Sequence, residues 1–400
     1  MKVLTQLFFL FTTLVAAEST GIRKSCPCDD PLMCEPLQGP PVTAAGELMG
    51  FIGDSSFRYE QYMNWTWVTT IAWGDDNLTC IAHQHGVRSV MAAPSIDLLA
   101  LDSDTARSAW AHAALDSVQA NFRDGIVFDY EQPANGTLAS RYAKLITTTA
   151  RVFRTNASTG VQYQISTCVP WSPANIDGRD YPWQEIAEAS DLLYVMDYDT
   201  RSQVATEGFC LAGPNAPYEG MVQAMAQWET VVGSDGLRRI ILGVPWYGYR
   251  YECVPGTRWD SKYCPIAEVP FRGVNCSDAA GREIGYNNIL NSVRPVTPTW
   301  RGESRSPFFN AVEDGTVVQY WFDDADSLRR KFRWAKSKGV AGVGPFAFQY
   351  IAGCEAHDAV QMWSAFDSFF DGAASSTLSR EKTRNQVKLL NPHIDSKRKL

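Results

Sequence analysis

Two carboxylates two positions apart close an apolar run in the stretch Asp124-Gly125-Ile126-Val127-Phe128-Asp129-Tyr130-Glu131. Side chains on a strand alternate faces, so Asp129 and Glu131 point the same way, roughly 6.6 Å apart along the backbone. Carboxylates set beside Ile126, Val127 and Phe128 cost several kcal/mol unless they share a proton or find donors, so an ordinary core strand avoids them. Such a pair suits acid–base chemistry, with one carboxyl delivering a proton and the other steadying positive charge.

Three further segments carry unusual groups: Trp171-Ser172, Met196-Asp197-Tyr198-Asp199 and Pro245-Trp246-Tyr247. Aromatic faces beside acids suit a sugar, whose C–H groups stack on rings while its hydroxyls hydrogen-bond to carboxylates. Taken singly, Trp171, Trp246 and Tyr247 also read as core or rim packing, and Asp197 and Asp199 as a solvated turn with Tyr198 on the opposite face. Their shared position at strand ends favours a site. Breaking a glycosidic bond needs a proton donor, which Glu131 supplies, and a stabiliser for the developing positive charge. A second carboxylate about 5 to 5.5 Å away would be a nucleophile, and the spacing alone leaves that mechanism open. His83 and His85 end a helix before the third strand and read as surface or capping residues. No Gly-x-Ser-x-Gly elbow supports a serine nucleophile.

The elements that must position these groups recur at a βα rhythm. Apolar runs at 48–52, 68–72, 87–92, 126–130, 161–169, 192–198, 240–244 and 340–346 predict eight strands. Helical segments at 104–121, 138–153, 221–232, 324–338 and 358–370 lie between or after them. Continuous apolar strands alternating with helices predict an α/β TIM (β/α)8 barrel. An open doubly wound sheet that bound a nucleotide would show a glycine-rich phosphate turn after its first strand, and Gly50-Phe51-Ile52-Gly53 does not supply one. Residues 249–318 exceed a normal crossover and predict a small α+β insertion between strands 7 and 8, with a hairpin turning at Glu313-Asp314-Gly315. Asp129 and Glu131 fall at the carboxyl end of strand four, where barrels of this kind do their chemistry.

The remaining sequence sets the context. Residues 1–17 read as a signal peptide, 18–46 as a Cys-rich N-terminal segment, 47–372 as the barrel, and 373–400 as a basic, disordered tail. No stretch reaches the 18 or more apolar residues of a membrane helix. Ten cysteines and sequons at Asn64, Asn77, Asn135, Asn156 and Asn275 fit a disulfide-bonded glycoprotein of the secretory pathway, with local bridges within the clusters at 26–34 and 253–276. Cys26-Pro27-Cys28 lacks a matched second pair of ligands, so no metal and no cofactor is expected. The net charge of −8 argues against nucleic acid, and a monomer is expected.

The stretch 124–131 resembles the Asp-x-x-Asp-x-Asp-x-Glu signature of family-18 glycoside hydrolases, the chitinase family. Cys26-Pro27-Cys28 with Cys34, Trp171-Ser172-Pro173, the run from Gly243 to Tyr249 and the run from Pro270 to Arg282 are similar to one branch of that family. The resemblance covers about residues 25 to 370. It implies a retaining, substrate-assisted reaction in which the sugar's own N-acetyl oxygen attacks the anomeric carbon. It implies Glu131 as acid then base, Asp129 as the group orienting the acetamide, and Tyr198 and Asp199, in a Met196-x-Tyr-Asp run, holding the reacting sugar. It further implies exo cleavage of N-acetylglucosamine oligosaccharides and of the chitobiose core of N-linked glycans, and a lysosomal or extracellular destination. Two positions depart from the pattern. Val127 replaces the middle Asp, which removes a negative neighbour and leaves Asp129 easier to ionise. Phe346 stands where a Trp usually floors the site. A chitinase-like lectin and an endo-acting chitinase are the alternatives.

Overall fold

The computed structural model describes residues 24–43, 45–54, 62–155, 161–203, 209–293, 298–302 and 304–370. The leader, the basic tail and the sequon at Asn156 lie outside the described residues.

Eight parallel strands close into a barrel: β1 (Glu47–Phe51), β2 (Thr70–Ala72), β3 (Arg88–Ala92), β4 (Gly125–Phe128), β5 (Gln164–Pro170), β6 (Leu192–Met196), β7 (Ile240–Pro245) and β13 (Gly342–Phe346). Their apolar runs are continuous because each strand is covered on both sides. Ile126 and Phe128 join the outer layer against the helices, whereas Val127 joins an interior cluster with Met49, Phe51, Val90, Cys168 and Tyr194. Gly125 is required by the closure, since a Cβ there would lie 2.0 Å from the Gln164 carbonyl oxygen. The covering helices include α1 (Asp76–Gln84), α2 (Asp104–Ala120), α3 (Gly136–Thr155), α4 (Trp183–Ala189), α5 (Tyr218–Gly236), α7 (Ala325–Lys338) and α8 (Ala356–Ser364).

The expected insertion is a five-stranded antiparallel sheet in the order β10-β11-β12-β8-β9, with helix α6 (Tyr286–Val293). Its strands are β8 (Tyr247–Glu252), β9 (Gly281–Gly285), β10 (Thr299–Arg301), β11 (Ser306–Glu313) and β12 (Thr316–Trp321). The β11–β12 hairpin turns through Asp314 and Gly315, both at positive φ, the geometry that two-residue hairpin loops require.

Four disulfides staple the chain. Cys26–Cys34 and Cys253–Cys264 are the expected local bridges, while Cys28–Cys80 and Cys210–Cys276 reach across 52 and 66 residues. One expectation is corrected here: His83 is neither a surface nor a capping residue. It is 4 % exposed, with Nε2 2.8 Å from Asp124 Oδ2 and Nδ1 2.7 Å from the Met33 carbonyl. Asp124 also accepts from the Leu37 and Ser89 amides, so this first acid of the motif ties the N-terminal segment to the amino end of β4. His85 does cap α1 and stacks on Trp65.

Candidate active site

Strand parity decides which groups enter the barrel mouth. Val127 points inward, so Asp129, two residues on, follows it into a cavity of about 360 Å3 that Glu131 also lines. In β6 the inward residues are Leu192, Tyr194 and Met196, and Tyr198 continues the row into the same cavity. Asp197 has the opposite parity and is buried, and burial pushes its carboxyl up to about 7 against the opposing charge of Lys331. Asp199 returns to the cavity because its φ of 51° turns the chain through the left-handed region, which Asp tolerates. Neither acid is a solvated turn residue.

The groups at the mouth have distinct surroundings. Asp129 Oδ1 is buried without a partner, and its carboxyl is pushed up to about 6, first by burial and then by the charge of Glu131. Burial thus outweighs, in the net value, whatever ease of ionisation the absence of a middle Asp confers. Glu131 is half exposed at the rim, where its Oε2 accepts from Arg179 Nη1 at 2.8 Å. The loop after β5 brings Arg179 there. A bridge between Ala134 and Arg179 joins it to the loop after β4, while left-handed Asn175 and Asp177 reverse its course. Arg179 Nη2 also donates to Asp177 Oδ2 at 3.3 Å.

Asp199 Oδ1 accepts from the phenols of Tyr247 at 2.7 Å and Tyr249 at 3.0 Å, yet burial still pushes its carboxyl up to about 6. Burial holds the Tyr198 and Tyr247 phenols well above their ordinary range, so both remain O–H donors. The apolar floor is Phe346, with Tyr198 stacked on it at 5.5 Å between ring centroids and Phe51 and Trp73 beside it. Trp171 and Met196 form walls.

Of the nine expected site residues, Glu131, Asp129, Tyr198, Asp199, Trp171, Tyr247, Phe346 and Met196 line this cavity. Trp246 does not. It is fully buried outside the barrel against Phe348, Trp363 and Phe366, because β7 alternates and places Leu242, Val244 and Trp246 in the outer layer. Sequence reasoning missed Arg179, Cys168, Trp73, Tyr249, Asp177, Asp278 and Glu283 among the lining groups. Period-two alternation from Ser166 would have found Cys168. Nothing in the chain order announces Asp278 or Glu283, which the insertion delivers from far along the sequence. The lining carries many carboxylates and one guanidinium, a field that repels anions and offers acceptors to a neutral polyol bearing amide N–H groups.

A barrel with paired acids and an aromatic floor at its carboxyl end defines the class, a barrel glycosidase. The model of "Glycosyl hydrolases family 18" matches residues 95–350. A probable di-N-acetylchitobiase 2 from Dictyostelium discoideum is 35% identical, the match covering 88% of this chain and 93% of that protein. The di-N-acetylchitobiase of Mus musculus is 32% identical over 98% of this chain and 99% of its own. Among solved structures, a class V chitinase mutant from Nicotiana tobaccum in complex with NAG4 shares the fold, with a TM-score of 0.64 and 14% identity over 81% of this chain and all of that one. The protein belongs to family 18 of the glycoside hydrolases and is a glycosidase.

Proposed function

We propose that the protein hydrolyses β-1,4-linked N-acetylglucosamine in chitooligosaccharides and in the chitobiose core of N-linked glycans, acting as an exo, retaining enzyme. The observation that carries this reading is the convergence of Asp129, Glu131, Tyr198 and Asp199 over the Phe346 floor. The names of the relatives supply the substrate class. Exo action is supported by the cavity's volume, near the low end for ligand pockets and suited to few sugar units. Four disulfides support a secretory route, to the lysosome or outside the cell.

In this mechanism Glu131 gives a proton to the glycosidic oxygen as the bond to the anomeric carbon breaks. The acetamido carbonyl oxygen forms the replacing bond from the opposite face, giving an oxazolinium. Asp129 accepts the acetamide N–H and steadies the positive charge, the Tyr198 O–H holds the carbonyl, and Asp199 accepts a sugar hydroxyl. A water molecule then surrenders a proton to Glu131 and opens the ring with net retention. Oε1 is the oxygen free to carry the proton, since Oε2 is engaged by Arg179.

That engagement also favours a second reading, a sugar-binding relative, should the guanidinium hold Glu131 throughout. Reducing-end-labelled chitotetraose separates them. Wild type should release single sugars from one end, and Glu131→Gln should bind while losing on the order of 10²- to 10⁴-fold in turnover. Tight binding without product from wild type refutes the hydrolase reading, and internal fragments refute exo action.

A further inference from the structure

We infer that Cys168 is a positioning residue for Asp129, its thiol supplying the donor that the chain lacks at Val127 and setting the pH at which Asp129 becomes the anion the reaction uses. The inference rests on the proposed hydrolase mechanism for its purpose, while the adjacency of the two residues follows from strand register and the cavity they share. β4 pairs with β5 in parallel with Phe128 opposite Thr167, so Asp129 and Cys168 are the next neighbours along the ladder. Both continue inward rows, Val127 and Asp129 on one strand, Ser166 and Cys168 on the other, and both line the cavity. Below Asp129 the Val127 side chain offers only methyls.

Cys168 is 6 % exposed and is not disulfide-bonded, and its thiol is the hydrogen-bonding side chain that favours the charged form of Asp129. Burial and the neighbouring acids push that thiol well above its ordinary range, so it stays protonated and able to donate. The other titratable or charged groups facing Asp129 are Glu131 beyond β4, Tyr142 on α3, Arg179 beyond β5 and Tyr198 beyond β6. Arg179 is committed to Glu131 and Asp177, and Glu131 opposes ionisation. A thiol is a weak donor, which fits a carboxyl that stays high despite having a partner.

The test compares Cys168→Ser, Cys168→Ala and wild type. With donation removed, Cys168→Ala should move the acid limb of kcat/KM up by about one pH unit, a drop of about tenfold at pH 5. Cys168→Ser, a stronger donor, should restore the limb to the wild-type position or below. A purely packing role predicts rate or stability losses with the limb unmoved. An infrared titration decides the point without turnover. In a Cys354→Ser background, which leaves Cys168 as the one free thiol, the S–H stretch should shift as Asp129 ionises near pH 6 and should stop responding in Asp129→Asn. If wild type lacks chitooligosaccharide turnover but the S–H band titrates, the mechanism falls and the contact stands. A band indifferent to pH and to Asp129→Asn overturns the inference.

Discussion

Asp129 shows how one side chain trades stability for chemistry. Its carboxyl is raised from 3.8 to about 6, mainly by burial. An acid whose folded value is raised destabilises the fold increasingly as pH climbs through its unfolded and then its folded value, and the cost levels off above that. The difference of about two pH units corresponds to roughly 3 kcal/mol at pH 7, an upper figure. Asp129→Asn should therefore melt higher than wild type at pH 7 and equally at pH 3.5, while losing turnover. Equal melting at both pH values would remove the burial argument. The same value predicts that wild-type kcat/KM falls as pH drops below about 6, where the acetamide loses its anionic partner. Phe346 acts through contact alone. Phe346→Ala should raise KM about three- to tenfold, the size of a lost stacking interaction, with kcat less affected.

Trp246 and Tyr247 are neighbours with opposite fates, and strand parity explains both. Gly243 approaches Tyr194 inside the barrel and Tyr247 joins the cavity, while Val244 and Trp246 pack outward beneath α7 and α8. Trp246→Ala should cost on the order of 3 to 5 kcal/mol by emptying that outer layer, seen as a lower melting temperature, with KM unchanged in the folded enzyme. A KM defect matching that of Phe346→Ala would place the indole at the sugar after all. The eight strands were legible because strands covered on both faces read as uninterrupted apolar runs, and the acid pair was legible because nothing structural explains it. The insertion hairpin was legible from Asp314-Gly315. Trp246 was misplaced although alternation through β7 carries the answer, since its position at a strand end outweighed its parity. Arg179 was invisible for a different reason. It reaches Glu131 through a loop reversal at Asn175 and Asp177, and left-handed turns of that kind leave no periodic trace.

Across the whole molecule, chemistry sits at the carboxyl ends of the barrel strands and stability at the amino ends, and the motif Asp124 to Glu131 contributes to both. Asp124 lies beneath β4, where the N-terminal segment crosses the barrel, is held by the Cys28–Cys80 disulfide and presents its Met33 carbonyl to His83. Both partners of His83, a carbonyl and a carboxylate, only accept, so the ring donates from both nitrogens as an imidazolium. Asp124 raises the His83 value against the opposing effect of burial, and His83 lowers that of Asp124, also against burial. The raised His stabilises the fold fully below about pH 6.5 and loses that contribution as pH rises through its folded value. The lowered Asp stabilises it above about pH 3.9 and loses that contribution as pH falls through its own. The pair is therefore worth most between about pH 4 and 6.5. His83→Gln should destabilise the protein by about 3 kcal/mol at pH 5, as removal of one partner strands a buried charge. As pH rises through the raised value of His83 the wild-type ring loses its proton, and the gap between the two melting temperatures should narrow. Turnover per folded molecule of His83→Gln should match that of wild type at each pH, because the pair touches nothing in the cavity. A gap that stays constant as the pH is raised from 5 through the alkaline range would mean that packing, and not the ion pair, fixes the N-terminal segment to the barrel.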